Sequence, residues 1–227
     1  MKLTSATEYL YTRRPERIQQ RIDRSHHRVR GYAHTGVPAS YQYGSFPHSI
    51  RTDEVVRSAR TEFGRPVRLL DIGCGAAGVV IRHLNEGHDA HGLSLHDYRQ
   101  LSSTQQQVRD LTDDVYVVGN AENPDTYRAL SGEYDVIVSQ HTFAHFYDPL
   151  AALELAVDRV AEGGYFLCDY LRGGHTRLYK GYTGNTIPAA FTAAGFTPLQ
   201  GSGGLEMCMR RGSTKLPFRL DVDYATN

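Results

Sequence analysis

The stretch Leu69-Leu70-Asp71-Ile72-Gly73-Cys74-Gly75-Ala76-Ala77-Gly78 decides the fold of this chain. Its apolar first half predicts a buried β-strand, and the glycines that follow predict a turn that opens a helix. Gly73 and Gly75 lack side chains, so the backbone can bend sharply there and approach a ligand closely. The same Gly-x-Gly-x-x-Gly spacing also occurs in dinucleotide-binding folds and in plain tight turns, so the surrounding sequence must decide between them.

Further apolar stretches follow this turn, and each is a candidate strand. They are Ala90–Leu95, Val115–Val118, Tyr134–Ser139 and Tyr165–Asp169. Leu150, Leu153, Val157 and Val160 have the spacing of a helix that precedes the last of them. Alternating strands and helices require a mostly parallel sheet, because right-handed crossovers place helices on both of its faces. Ligands bind outside the carboxyl ends of such strands, so the residues there should converge on one crevice.

With these motifs in order, the chain resembles the class I S-adenosylmethionine-dependent methyltransferases of the small-molecule type, over roughly residues 66–211. The motifs are Asp71–Gly78, Gly119–Glu122, Tyr134–Pro149 with its His-x-x-Asp-Pro ending, and Glu162–Gly164. Two positions depart from the family pattern: Ser94 replaces the usual acidic residue after the second strand, and Asn120 replaces the usual Asp of the third motif. The resemblance implies an α/β, Rossmann-like fold, a seven-stranded mostly parallel sheet with an antiparallel last strand and helices on both faces.

The resemblance also implies how the chain is divided. Residues 1–64 would form an N-terminal cover of helix and loop within the same domain, residues 65–212 the S-adenosylmethionine-binding core, and residues 213–227 a C-terminal tail. Pro15, Ile18 and Ile22 predict a short helix in the cover, with an apolar stripe that packs on another part of the molecule.

S-adenosylmethionine is the cofactor that the resemblance implies, and its binding residues carry over at the strand ends. They are Asp71, Gly73, Cys74, Gly75, Ser94, Leu95, Asn120, Ala121 and Gln140. The glycine turn would line the methionine moiety, and Gln140 would lie beneath the sulfonium. Asp71 has two open roles: it either binds the cofactor's ammonium or caps the glycine turn. Ser94 still offers a donor and an acceptor for the ribose.

His141 and His145 follow the fourth strand and are the candidate catalytic residues. At helical spacing both can point the same way, and an unperturbed histidine pKa of ~6.5 suits a general base at neutral pH. His145 also has a structural interpretation, since the motif that contains it often serves packing and the start of a helix. The candidate substrate residues are Tyr41, Tyr43, His48, Tyr170 and Tyr179. No third ligand stands at a spacing suited to a metal, so no metal is expected.

Composition limits the class of partner. The 25 basic and 25 acidic residues balance, which argues against nucleic acid or an anionic membrane and favours a small-molecule substrate. The basic residues among the first 30 are interpreted as a solvated helix face, and the oligomeric state stays open. Three cysteines without a Cys-x-x-Cys pair indicate core thiols in a reducing compartment, so the expected location is the cytoplasm.

The expected reaction is in-line displacement at the sulfonium methyl by a nucleophile of a small acceptor. One alternative keeps the cofactor but uses it for intramolecular cyclisation or another non-methyl alkyl transfer, with release of methylthioadenosine. A second alternative is a non-catalytic S-adenosylmethionine-binding protein. A dehydrogenase is disfavoured, because the dinucleotide fingerprint expects an acidic residue ~20 positions beyond the glycines.

Overall fold

The structure, a computed structural model, describes residues 15–43, 51–169, 171, 178–199 and 206–225. In this part the strands are β1 Arg68–Ile72, β2 Asp89–Ser94, β3 Tyr116–Val118, β4 Tyr134–Ser139, β5 Val160–Asp169, β6 Tyr179–Lys180, β7 Phe196–Pro198, β8 Glu206–Arg211 and β9 Asp223–Tyr224. The α-helices are α1 Pro15–Thr35, α2 Ala39–Tyr43, α3 Thr52–Phe63, α4 Gly78–Asn85, α5 Gln106–Arg109, α6 Pro124–Arg128, α7 Pro149–Val157 and α8 Thr186–Ala193. Short 3₁₀ turns cover Tyr98–Gln100 and Phe143–His145.

One sheet contains seven of these strands in the order β3-β2-β1-β4-β5-β8-β7. The pairs among β1 to β5 are parallel, and β8 runs antiparallel to both of its neighbours. This confirms the predicted α/β fold and its antiparallel last strand. The strand order reverses at β1, where the chain moves outward to β2 and β3 and later returns to β4, so a crevice opens between the ends of β1 and β4.

Both faces of the central strands are buried, as a parallel sheet covered by helices requires. Leu70 and Ile137 belong to the hydrophobic cluster on one face, while Leu69 and Val136 belong to the cluster on the other. Neighbouring residues point to opposite faces of a strand, which explains why these apolar stretches are continuous and do not alternate. Cys74, Cys168 and Cys208, all within the described residues, are buried and form no disulfide, as predicted.

The largest departure in element bounds lies before the fifth strand. The helical spacing through Val160 predicts a helix to that residue, but α7 ends at Val157 and Val160 starts β5. Gly163, with φ of +70°, lies within this early part of β5, where its pairing with β4 shifts register between Tyr134 and Val136. α1 is also longer than the short helix expected, with 21 residues. None of the described helices combines the length and apolar character that a membrane crossing requires.

The segment predicted as a C-terminal tail packs into the core over its described part. Phe218, Leu220, Val222 and Tyr224 are buried in the cluster that includes α7, and β9 pairs with β6. Asp148 joins these elements: its carboxylate accepts a hydrogen bond from the Ala151 backbone N–H at the start of α7. The domain boundaries themselves stay predictions.

The same carboxylate accepts hydrogen bonds from two tyrosine hydroxyls. Tyr179 of β6 donates to one oxygen of Asp148, and Tyr224 of β9 donates to the other. Burial raises the pKa of Asp148, whereas these hydroxyl donors act in the opposite direction. The two-stranded β6-β9 ribbon is thus anchored to the start of α7.

Replacement of Tyr224 by Phe should lower the free energy of unfolding by about 1–3 kcal/mol, because it leaves a buried carboxylate oxygen without a donor. The measurement is urea unfolding at pH 7. Tyr134→Phe is the matched control, since the buried Tyr134 hydroxyl has no hydrogen-bond partner among the described residues. We expect that variant to be as stable as the wild type or more so. Equal losses in the two variants would contradict the role given to Asp148.

Candidate active site

The glycine turn after β1 is tied to β2. The backbone N–H groups of Gly73 and Cys74 both donate to the Leu93 carbonyl, at 2.7 and 3.1 Å. Gly73 has φ of +81°, and a Cβ built there would lie 2.1 Å from Thr142 Oγ1. Gly75 also has a positive φ, but its nearest neighbour is the Tyr98 ring at 4.0 Å. Gly73 is therefore required by packing, whereas Gly75 leaves open space.

That open space is part of a cavity of about 310 Å³ between the carboxyl ends of β1, β2 and β4 and the inner face of α1, a volume typical of small-molecule sites. All of the predicted cofactor residues line it, namely Asp71, Gly73, Cys74, Gly75, Ser94, Leu95, Asn120, Ala121 and Gln140. His141, His145 and Tyr41 line it as well. The fold therefore brings these residues together, although their roles stay predictions.

Asp71 puts a carboxyl group at the bottom of this cavity. The residue is 4 % exposed, and burial raises its pKa to about 7, against a smaller opposing effect of Arg82. A buried carboxylate of this kind gains most from a cation beside it. The ammonium of S-adenosylmethionine is such a cation, so Asp71 fits the cofactor.

Gln140 offers a second polar group that suits the cofactor. Its Nε2 donates to Thr52 Oγ1 at 3.1 Å, which fixes the side chain. Its Oε1 is buried and has no hydrogen-bond partner among the described residues. A buried carbonyl oxygen without a partner is costly, by about 1–3 kcal/mol, unless a ligand approaches it. A sulfonium cation is attracted to such an oxygen.

Ser94 and Asn120, the two positions that depart from the family pattern, each accept a hydrogen bond from a nearby backbone N–H. Ser94 Oγ is 3.4 Å from the His96 backbone N–H, which donates to it. Asn120 Oδ1 accepts from the Glu122 backbone N–H at 3.0 Å, so this amide helps to hold its own turn. Both residues nevertheless line the cavity.

His141 is held at the end of β4 by the neighbouring strand β5. Its backbone N–H donates to Asp169 Oδ1 at 2.5 Å, and its Nε2 lies 3.7 Å from Asp169 Oδ2. His141 has φ of +54°, a left-handed conformation that is rare for a side-chain-bearing residue and frequent at functional sites. Sequence reasoning missed Asp169, although its position at the end of β5, next to β4, is the signal that could have found it.

His145 lines the same cavity, at the end of its 3₁₀ turn. Burial is the largest effect that lowers its pKa, followed by the charges of Arg28 and Arg21. His145 is therefore neutral at pH 7, the state in which an imidazole accepts a proton.

α1 closes the cavity and is attached to both of its walls. Arg21 Nη1 donates to the carbonyls of His145 and Phe146, at 2.6 and 3.1 Å. Ser25 Oγ lies 2.7 Å from His96 Nε2 on the side of β2. His96 is buried, and its pKa is lowered to about 4 by that burial and by the nearby His26.

The basic N-terminal residues were interpreted as a solvated helix face, and part of that face of α1 also lines the cavity. Arg21, Arg24 and Arg28 line it; Arg21 is half-buried, whereas Arg24 and Arg28 are exposed, as are Arg17 and Arg30. The three cavity residues share one helix face with Ile18, Ile22 and Ser25. The apolar stripe predicted that this face packs on another part of the molecule. The arginines that alternate with the stripe in the sequence could also have been assigned to this face, but they were not.

The predicted substrate residues have mixed outcomes. Tyr41 lines the cavity and Tyr43 ends α2, whereas His48 and Tyr170 lie outside the described residues. Tyr179 is not brought to the cavity. It is buried in the core, where its hydroxyl donates to Asp148, so the structure gives it a structural contact in place of the predicted substrate contact.

A cluster of His83, Glu86 and His88 at the end of α4 has the spacing of metal ligands. His88 Nδ1, however, accepts a hydrogen bond from the Val67 backbone N–H at 3.0 Å. Neutral His88 therefore carries its proton on Nε2, and neither nitrogen is free to coordinate a metal.

The chain is similar to one known protein family and to several solved structures. The methyltransferase domain family matches residues 48–200. Magnesium protoporphyrin IX methyltransferase from Synechocystis PCC 6803, solved with bound S-adenosylmethionine, is 13 % identical, with a TM-score of 0.48 and coverage of 92 % of this chain and 97 % of that chain. Monomeric WbdD is 15 % identical, with a TM-score of 0.51 and coverage of 78 % of this chain and 45 % of that chain.

An amino pentose methyltransferase from Micromonospora echinaspora is 16 % identical, with a TM-score of 0.47, and the match covers 76 % of this chain and 95 % of that chain. A search of curated proteins gave no match. The fold and the site define a class I S-adenosylmethionine-dependent methyltransferase. The chain belongs to the methyltransferase domain family, and its cofactor is S-adenosylmethionine.

Replacement of Asp71 by Asn separates the two roles that the sequence leaves open. The pKa of Asp71 is raised in the folded protein to about 7, above an unfolded value of about 3.9, so its contribution to stability is full below pH 4 and is lost as the pH rises to about 7. The variant should therefore unfold at a higher temperature than the wild type at pH 8 without cofactor, and at a similar temperature at pH 4. Its affinity for S-adenosylmethionine should fall by about tenfold or more.

Asp135→Asn is the control of opposite sign, because Asp135 is held by Arg65 at 2.7 and 2.8 Å and should lose stability at pH 8. Thermal unfolding and calorimetry provide both measurements. If Asp71→Asn lowers the unfolding temperature at pH 8, the carboxylate caps the turn and does not serve the ammonium.

Proposed function

We propose that this methyltransferase acts on a small-molecule acceptor by in-line displacement at the sulfonium methyl of its cofactor. The observation that carries the proposal is that one cavity holds both the glycine turn after β1 and the pair of histidines after β4. When bound, S-adenosylmethionine supplies a methyl group on an already activated leaving group.

The main task of the protein is placement of the acceptor. An atom held ~3–3.5 Å from its reaction partner gains several kcal/mol over a free encounter, without any covalent step by the protein. Gly73 and Gly75 fix the turn that cradles the cofactor, with Asp71 and Gln140 as polar contacts. α1 forms one wall of the cavity.

His141 is the proposed general base for an acceptor that must lose a proton. Asp169 would act as a positioning residue, because it holds the backbone of His141 and lies close to its Nε2. A carboxylate there also stabilises the imidazolium that forms when the ring takes a proton. His145, neutral at pH 7, is the second candidate and would contact the acceptor.

The size and charge of the chain support a small acceptor. The cavity has the volume of a small-molecule site and lies beneath α1, and the net charge of zero gives no attraction to nucleic acid. A cytoplasmic location is proposed because the three buried cysteines form no disulfide, which suits a reducing compartment.

Identification of the nucleoside product tests this function against the alternatives. The protein is incubated with S-adenosylmethionine, alone and with a panel of small nucleophiles, and the products are separated by chromatography with mass detection. S-adenosylhomocysteine that appears only with an acceptor is the expected result. Methylthioadenosine without an acceptor would instead establish cyclisation, and neither product despite tight binding would establish a non-catalytic protein.

Replacement of His141 by Ala should lower kcat by about 10²–10⁴, the usual contribution of a general base, and leave cofactor affinity within about threefold. Asp169→Asn should lower kcat less and shift the acidic limb of its pH profile. The measurements are steady-state kinetics with an acceptor from the panel and calorimetry with S-adenosylmethionine. His34→Ala, at an exposed site on α1, is the control. Equal losses of turnover and cofactor affinity in His141→Ala would make the residue structural.

A further inference from the structure

We propose that the acceptor carries an oxyanion, a carboxylate or a phosphate, and that Arg24 and Arg28 of α1 bind it. This inference rests on the proposed function, since it concerns the acceptor of the same cavity. It adds the chemical class of the acceptor, and it makes α1 the element that selects the acceptor.

Arg24 and Arg28 line the cavity at one face of α1, one helical turn apart. Within the described part of the chain, neither guanidinium makes an ion pair or a hydrogen bond. Arg21, on the same face, is already used, because it donates to the carbonyls of His145 and Phe146. The cavity thus presents two guanidinium groups whose donors are available to a ligand.

The negative charges of the cavity do not balance these arginines. Among its lining residues the carboxyl groups are those of Asp71 and Glu122. Glu122 is buried and accepts the backbone N–H of Asp148, and burial raises its pKa to about 7. Asp71 lies at the glycine turn and suits the cofactor's ammonium. Both carboxyl groups therefore have other tasks, and the side of α1 stays positive.

Two like charges one turn apart on a helix repel each other, so their placement toward a cavity is unfavourable without an anion between them. Arginine is also the residue best suited to carboxylates and phosphates, because its planar fork donates two parallel hydrogen bonds.

The arginines lie on the acceptor side of the cavity. Arg21, on the same face of α1, donates to the carbonyls of His145 and Phe146, so this face lies against the residues after β4. An oxyanion held by Arg24 and Arg28 would place the rest of the acceptor beside His141 and His145. The rival ligand is the carboxylate of the cofactor itself, and the experiment must distinguish the two.

The test uses calorimetry on the full chain saturated with S-adenosylhomocysteine. The probes are benzoate, phenyl phosphate and benzamide, which share a ring and differ in charge. We expect benzoate or phenyl phosphate to bind at least about tenfold more tightly than benzamide, the effect of one good charge-assisted contact. The tighter of the two anions identifies whether the site prefers a carboxylate or a phosphate.

The Arg24→Gln/Arg28→Gln double variant should bind all three probes within about twofold of one another and keep its affinity for S-adenosylhomocysteine within about threefold. Arg17→Gln/Arg30→Gln, at two exposed positions of the same helix that do not line the cavity, is the matched control and should behave as the wild type. Arg24→Lys/Arg28→Lys keeps the charge and should retain part of the preference for anions.

The inference is overturned if benzamide binds the wild type as well as the anions do, or if none of the probes binds. It is also overturned if the Gln double variant loses affinity for S-adenosylhomocysteine but keeps its preference for anions, because the arginines would then hold the cofactor. A wild-type protein that binds the probes but not S-adenosylhomocysteine would instead refute the proposed function.

Discussion

The rest of the site depends on two contacts of the glycine turn after β1, one with the end of β2 and one with the loop after β4. Two backbone N–H groups of the turn donate to a single carbonyl of β2, that of Leu93. Thr142, after β4, occupies the space that a side chain at Gly73 would need. The turn, the end of β2 and the loop after β4 are therefore fixed relative to one another. Because the predicted cofactor residues and the two histidines are placed by these same elements, one backbone arrangement brings both predicted sets of residues to the cavity.

The polar groups of the cavity are more favourable for a ligand than for the empty protein. Asp71 is buried with a raised pKa, Gln140 Oε1 is buried without a partner in the described chain, and His141 has a left-handed backbone conformation. Each of these features costs stability in the free protein. A ligand with an ammonium and a sulfonium relieves the first two costs, and Asp169 offsets the third by its bond to the His141 backbone. These features of the cavity therefore lower the folding stability of the free protein and favour the binding of a ligand.

Sequence patterns predicted the parts of the molecule that depend on local rules. The strand Tyr134–Ser139 was predicted to the residue, and the cofactor residues meet in one cavity because parallel strands end at one edge of a sheet. The pattern failed where a distant contact decides the outcome. Tyr179 follows the fifth strand, where the family resemblance predicts contacts with the acceptor. Its hydroxyl instead donates to the buried carboxylate of Asp148. Asp169 and the cavity-lining arginines belong to the site only because β5 lies beside β4 and α1 lies over the strand ends. The local spacing of residues does not reveal either neighbour.

The division of labour between the sheet and α1 follows from how each is held. The strand ends are buried in the core and have little freedom to change, so they suit a cofactor that is the same in every member of the family. α1 lies on the outside, and contacts such as Arg21 to two backbone carbonyls and Ser25 to His96 attach it to the cavity walls. Ile18 and Val29 of α1 pack into the core, whereas Arg24 and Arg28 line the cavity and are exposed, so these two can vary without a change in the core. A helix of this kind is the part of the fold in which selectivity for the acceptor can change while the reaction stays the same.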